Sequence, residues 1–325
     1  MKEIIGSFSN QLKEATAIAQ SAVFNQHSKD IQNVLISGLG GSGIGGTIVQ
    51  DLIKLDSKVS ISINKTYEIP AFVGENTLVI ISSYSGNTEE TLEALKQAIS
   101  AGAKICCITS GGQVLNIATE NSIDHVIVPG GNQPRAMLAY SITCLMHILS
   151  YHEIISNNFK QDWLNSISYI DNNESTIQEE ALNLAKSLDG KMPILYGMNG
   201  YEGITIRFRQ QLNENAKILL WHHIIPEMNH NELVGWTQNS DAQVVFMTNG
   251  NDSERLVTRT KICKEIIGKY ANSPITIVSK GENQIQNNLY WIHFGDWVSY
   301  YLSEIRDVDP IEVRVIDYLK SELAK

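Results

Sequence analysis

In the first half of the chain, short continuous apolar runs alternate with amphipathic stretches. Segments 34–37, 59–64, 77–82, 104–109 and 125–128 read as strands, and 43–55, 88–101 and 114–120 as helices. Strands that are apolar on both faces, separated by helices, predict a parallel sheet covered by helices on both sides. A long helix is expected over 134–152, with proline in its favoured first position. Residues 155–175 are polar and broken, and the domain boundary is placed there, giving 1–153 and 154–325. The second half repeats the theme more loosely, with strands at 194–197, 243–248 and 274–278 and helices at 201–215, 255–270 and 288–306. A last helix has a start signal in Asp309 as cap, Pro310 in the first position and Glu312 three residues after the cap. The expected class is α/β, two domains that each hold a parallel sheet between helix layers.

Composition narrows the function classes. The chain has 325 residues, 43% hydrophobic and 18% charged, enough for two cores of ordinary size. Its net charge of -10 argues against nucleic acid or an anionic membrane as partner. No apolar run is long enough to span a bilayer. The first 20 residues read as an amphipathic helix and not as a signal peptide, because acidic residues interrupt them. The four cysteines, Cys106, Cys107, Cys144 and Cys263, show no CxxC spacing, which fits a reducing cytoplasm.

The candidate chemistry begins where the third strand empties into SSYSGNTEE, residues 82–90. The first N–H groups of a helix lack internal partners and carry partial positive charge, so such a place suits an anion. Ser83, Ser85 and Thr88 add hydroxyl donors. The natural guest is a phosphate on a small molecule. A glycine cluster, GLGGSGIGG over 38–46, follows the first strand and opens a helix. It contains GxGxxG, but the second strand ends Ile63-Asn64-Lys65 without the acidic residue of a dinucleotide site, and no lysine completes a P-loop. It reads either as a tight strand–helix turn or as a second anion-friendly loop on the same sheet edge, where ligands of open α/β sheets bind.

Two charges break local rules. Arg135 falls in the first turn of its helix and Glu214 near the C-terminal end of another, each against the helix dipole. Each reads either as a solvated surface charge or as a site residue. The stretch 221–232, WHHIIPEMNHNE, holds three histidines and two glutamates, but matches neither HExxH nor a zinc finger. Lys320, beside the ridge Ile311, Val315, Leu319 and Leu323, reads first as a solvated residue favoured by the dipole.

Together, GLGGSGIGG, SSYSGNTEET, NQPRA, NENAK and PEMNHNE, in that order, resemble the sugar isomerase (SIS) domain family, and more closely the bifunctional phosphoglucose/phosphomannose isomerases of archaea and bacteria. The resemblance covers nearly the whole chain. It implies two SIS domains of flavodoxin-like three-layer form and a homodimer with active sites near the subunit interface. By motif, it implies that Gly41, Ser42, Ser83, Ser85 and Thr88 hold the substrate phosphate. Arg135 would stabilise an enediolate, Glu214 would be the base, His230 would open the sugar ring and Lys320 would assist. The implied reaction interconverts glucose 6-phosphate, and by family precedent mannose 6-phosphate, with fructose 6-phosphate. It needs no metal or redox cofactor. Members that accept mannose 6-phosphate have a threonine near the last helix, where this chain reads Ile311-Glu312-Val313. A non-catalytic SIS module that senses a phosphosugar is the rival reading.

Overall fold

The computed structural model describes residues 1–25 and 30–323. The strands are β1 (Asn33–Ser37), β2 (Ser60–Asn64), β3 (Thr77–Ser83), β4 (Lys104–Thr109), β5 (Asp124–Ile127), β6 (Met192–Met198), β7 (Trp221–Ile225), β8 (Ala242–Asn249) and β9 (Ile275–Ser279). The helices are α1 (Lys2–Gly6), α2 (Phe8–Ser21), α3 (Gly40–Ile53), α4 (Glu89–Ser100), α5 (Gly112–Glu120), α6 (Leu138–Tyr151), α7 (Phe159–Leu188), α8 (Glu202–Ala216), α9 (Glu254–Ile267), α10 (Gln284–Ile305) and α11 (Arg314–Leu323). The chain divides into two compact units. An N-terminal unit takes Gly6–Asp171 with Gln284–Gln286, and a C-terminal unit takes Met1–Ile5, Asn172–Asn283 and Asn287–Lys325.

The N-terminal sheet has the order β2-β1-β3-β4-β5, and every pairing is parallel. β3 lies in the middle and all its residues are buried. On one face Leu35, Val79, Ile81, Ile105 and Cys107 meet Leu92 and Leu95 of α4 and Val114 of α5. On the other face α3 and α6 pack together, with α2 against α6. Glycine is required where α3 crosses the sheet and α6. A Cβ on Gly43 would lie 2.2 Å from the Gly38 carbonyl oxygen, and one on Gly45 would lie 2.5 Å from Ser141 Oγ. The four cysteines are free and buried, so Cys106 and Cys107 act as small apolar core residues.

The C-terminal sheet has the order β7-β6-β8-β9, again all parallel. That is the order of the first four strands of the other sheet, so the halves repeat one topology without visible sequence repetition. The two sheets flanked by helices match the expected α/β class.

Several elements differ from the sequence reading. The polar stretch 155–175 is mostly helical, because α7 runs on as one long helix to Leu188. Its buried residues Phe159, Trp163, Ile167, Ile170, Ile177, Ala181, Leu184 and Leu188 recur at helical spacing, and the intervening polar residues form its outer face. β7 lies in the histidine-rich stretch 221–232, where no strand was expected. It is an edge strand with Trp221 42% exposed, so it lacks the apolar run that marked the other strands. Pro134 opens a 3-10 turn, Pro134–Ala136, and α6 starts only at Leu138. The last helix starts at Arg314, four residues later than its proline suggested; Asp309 Oδ1 instead accepts from the Ile311 N–H at 2.8 Å, and Glu312 Oε1 from the Arg314 N–H. The N-terminal amphipathic stretch is two helices, broken at Ser7. No helix among the described residues is long and apolar enough to cross a membrane.

Candidate active site

β1 and β3 are neighbours where the strand order of the N-terminal sheet reverses, which opens a crevice at their carboxyl ends. The glycine cluster leaves β1 there, and the hydroxyl loop leaves β3. The two loops are tied together, because the Tyr84 N–H donates to Ser42 Oγ at 3.0 Å. Ser83 Oγ donates to Thr88 Oγ1 at 3.3 Å, and the Asn87 N–H to Ser85 Oγ at 3.3 Å. Thr88 is the N-cap of α4 but makes no side-chain cap bond to it, so the first-turn N–H groups take no bond from that hydroxyl. Gly86, at φ +67°, lets the hydroxyl loop lie against the loop after β4; a Cβ there would be 1.8 Å from the Gly111 carbonyl oxygen.

Arg135 belongs to the same edge. A Cβ on Gly41 would be 3.0 Å from the Arg135 nitrogen and the Pro134 carbonyl oxygen, so the start of α3 abuts the turn that carries the arginine. Arg135 is 6% exposed, and its Nη1 donates to Gln133 Oε1 at 3.3 Å. A narrow crevice here is lined by Gly41, Ser42, Ser82, Tyr84, Pro134 and Met137. Gly41, Ser42, Ser83, Ser85, Thr88 and Arg135 therefore share one unit and one sheet edge.

The sequence reading missed Tyr84. Its N–H binds Ser42, its carbonyl oxygen accepts from the N–H and Oγ of Ser110 at 3.0 and 2.7 Å, and its Oη accepts from the Asn132 N–H at 3.2 Å. One residue thus joins the loops after β1, β4 and β5 to its own. The available signal was an aromatic side chain in the middle of a hydroxyl-rich turn.

Glu214, His230 and Lys320 belong to the C-terminal unit. Glu214 is half-buried in the last turn of α8. The helix stops at Lys217, which adopts a left-handed conformation (φ 55°, ψ 42°). Two cations cover its terminal carbonyls. Lys217 Nζ donates to the Glu214 carbonyl oxygen at 2.5 Å, and Arg306 Nε to that of Ala216 at 3.1 Å. These positive groups offset the cost of an anion at a helix C-terminus. Lys217 Nζ also donates to the Glu312 carbonyl oxygen at 2.6 Å, on the approach to α11. Lys320 is exposed in the last turn of α11.

His230 is exposed at the end of a 3-10 turn, Glu227–His230, which follows the cis Ile225–Pro226 peptide. The turn is held to α9 through Asn229, whose Nδ2 lies 2.9 Å from Cys263 Sγ and whose Oδ1 accepts from Arg259 Nη1 at 3.2 Å. The other polar residues of the stretch have separate roles. Glu232 Oε1 accepts from Tyr196 Oη at 2.5 Å and Trp221 Nε1 at 3.0 Å, while Glu227 Oε1 accepts from Asn231 Nδ2 at 3.0 Å. Burial, with Arg209 and His223 adding to it, pushes the His222 imidazole down to about 4. Among the described residues no group of three or more His, Cys, Asp or Glu is placed to hold a metal ion.

Two family models match the chain, one in each half. Residues 29–150 match the SIS domain family, and residues 177–323 match the family described as bacterial phospho-glucose isomerase C-terminal SIS domain. The bifunctional phosphoglucose/phosphomannose isomerase of Caldicellulosiruptor bescii is 34% identical over 337 residues, covering 100% of this chain and 99% of that protein. Its namesake from Thermoplasma acidophilum is 37% identical over 298 residues, covering 90% of each. Among solved structures, the C-terminal domain of glucosamine-fructose-6-phosphate aminotransferase from Francisella tularensis superposes with a TM-score of 0.77 over 95% of this chain and 98% of that one; at 13% identity this shows the fold alone. The chain belongs to the bifunctional phosphoglucose/phosphomannose isomerase family.

Proposed function

We propose that the protein interconverts glucose 6-phosphate, and with it mannose 6-phosphate, with fructose 6-phosphate through a cis-enediolate. The observation that carries this reading is the buried Arg135 beside a glycine and hydroxyl cradle at the switch point of the N-terminal sheet. Gly41, Ser42, Ser83, Ser85 and Thr88 bind the phosphate through loop N–H groups, hydroxyls and the start of α4. That grip is remote from the reacting carbons, so its binding energy orients C1 and C2.

Ring opening comes first. A proton leaves the C1 hydroxyl and a proton reaches the ring oxygen, a task suited to the imidazole of His230, with Lys320 assisting. Glu214 then takes the proton from C2 of the open aldose and becomes a carboxylic acid. The electron pair moves through C1 to the carbonyl oxygen, and Arg135 faces the growing negative charge. A proton passes from the C2 hydroxyl to the C1 oxygen, Glu214 returns its proton to C1, C2 becomes the carbonyl carbon and the ketose results. Removing a fixed charge such as Arg135 costs about 10²–10³ in rate. The reading requires the groups of both units to reach one sugar. A homodimer in the cytoplasm, with hexose 6-phosphate as its small-molecule partner, completes it.

A coupled assay with glucose 6-phosphate and mannose 6-phosphate side by side tests the reading. Turnover of glucose 6-phosphate that Glu214→Gln abolishes, while phosphosugar binding persists, supports it. A protein that binds the sugar phosphate and never converts it would be a sensor instead.

A further inference from the structure

Helix α8 carries Arg207, Gln211 and Asn215 at intervals of four residues, and all three are buried, at 4%, 2% and 0% exposure. Their partners lie on α10. Arg207 Nη2 is 2.9 Å from Asp296 Oδ2, and Gln211 Nε2 donates to Asp296 Oδ1 at 2.6 Å. Asn215 Nδ2 donates to Ser299 Oγ at 2.9 Å, and Ser299 Oγ donates to the Asp296 carbonyl oxygen at 2.7 Å. Beside this polar seam the same two helices make apolar contact. Phe208 meets Phe294 edge-on at 6.2 Å between ring centres, and Gly295 leaves room for it, since a Cβ there would be 3.1 Å from Phe208 Cδ2.

Stability alone does not call for such a seam. Buried ion pairs lose solvation, and apolar residues of similar volume often do as well or better. Hydrogen bonds supply what apolar contact cannot, a single register. Glu214 stands between Gln211 and Asn215, about 60° and 100° around the helix from them. A slip of one residue would swing its carboxylate by about 100°.

Resting on the reading of Glu214 as the base, we propose that the seam of Arg207, Gln211 and Asn215 against Asp296 and Ser299 sets the rotation of α8 and thereby aims the Glu214 carboxylate. These are positioning residues. The seam also brings a charge near the base: burial pushes the Arg207 guanidinium down from its ordinary value, opposed by Asp296 and then Glu214. Asp296 thus offsets a buried cation that also acts on Glu214. Other charged or titratable groups on and against α8 within the C-terminal unit include Glu202, Arg209 and Lys217 on its own segment, Tyr196 on β6, Arg306 at the end of α10, His222 and His223 on β7, and Glu312 before α11.

The test uses the full chain, fructose 6-phosphate, and kcat and KM as functions of pH. The double variant Arg207→Met with Asp296→Leu removes both charges together. It also leaves the buried Gln211 amide without its Asp296 acceptor, so its unfolding midpoint should fall somewhat, while KM stays within about twofold and kcat falls at least about tenfold. Asp296→Asn, which removes the anion bonded to Arg207, should move the acid limb of kcat to lower pH, and Arg207→Met should move it to higher pH. Gln211→Met spares the ion pair and should lower kcat with KM unchanged, which gives the test if the double variant does not fold. Parent-like kcat in Gln211→Met or in a folded double variant, or acid limbs that move the same way in the two single variants, overturns the proposal. Glu214→Gln separates the two readings. If it retains turnover, the base assignment fails; if it is inactive while the seam variants behave as the parent, only the seam proposal fails.

Discussion

The Lys217 ammonium donates to the carbonyl oxygen of Glu214 at 2.5 Å, so the residue that ends α8 is bonded to the backbone of the residue assigned as base. The same nitrogen reaches the Glu312 carbonyl oxygen at 2.6 Å. It therefore joins the end of α8 to the segment that leads into α11 and Lys320.

Substituting Lys217 separates two contributions. Glycine at φ 55° keeps the left-handed stop without strain, whereas alanine keeps the strain; both lose the two bonds. Lys217→Gly should unfold near the parent midpoint, with Lys217→Ala less stable than it by about 1 kcal/mol. Both should lower kcat about tenfold if the tie positions the base. Thermal unfolding and steady-state kinetics on the pair check this, and parent-like kcat in both would leave the tie with a purely structural role.

Tyr84→Phe removes the hydroxyl that accepts from the Asn132 N–H and spares the three hydrogen bonds of the Tyr84 backbone. One lost hydrogen bond is worth about 1 kcal/mol, so turnover should fall about fivefold. The effect should appear in kcat, because Asn132 leads to Arg135 and not to the phosphate loops. An increase in KM alone would place Tyr84 with the phosphate.

Gly41→Ala inserts a Cβ 3.0 Å from both the Pro134 carbonyl oxygen and the Arg135 nitrogen. The turn must shift, and it links the start of α3, proposed to hold the phosphate, to Arg135. Weaker competitive inhibition by inorganic phosphate and a lower kcat are expected together, by at least about tenfold in kcat/KM. Unchanged inhibition by phosphate would remove Gly41 from the cradle.

Two histidines make stability depend on pH. Burial, reinforced by Lys160, pushes His147 down to about 4, and burial with Arg209 and His223 does the same to His222. An unfolded histidine titrates near 6.5, so below that value the unfolded chain takes up protons that the folded chain refuses. The contribution of each histidine is present above about 6.5 and is lost as pH falls toward about 4. The unfolding midpoint should drop across this window, and His147→Gln should flatten the slope; an unchanged slope would show that His147 is not held neutral.

Much of the fold could be read from the sequence where local pattern and tertiary role coincide. β4 falls on the residues expected, because a strand buried on both faces is a continuous apolar run. β7 could not be read that way, because an edge strand bearing His222 and His223 is too polar to mark itself. α7 was hidden by its polar outer face. Motifs pointed to Arg135 and Glu214; Glu214 does stand against the dipole of α8, whereas Arg135 precedes α6, which starts only at Leu138. Lys217 and the Arg207–Asp296 pair were silent in sequence, and Tyr84 offered only an aromatic ring within a hydroxyl-rich turn. Their significance comes from partners far along the chain, and only the folded backbone brings Asp296 to Arg207.

Deuterium exchange at C2 of the sugar tests the central claim most directly. The protein is held with fructose 6-phosphate at equilibrium in deuterated water for many turnovers, and the glucose 6-phosphate is analysed by mass and proton resonance. Proton transfer through the Glu214 carboxyl predicts solvent deuterium accumulating at C2, even if each turnover exchanges only a fraction, and no accumulation above background with Glu214→Gln. Sustained turnover with C2 free of deuterium would mean that hydrogen passes directly from carbon to carbon, and would contradict the account.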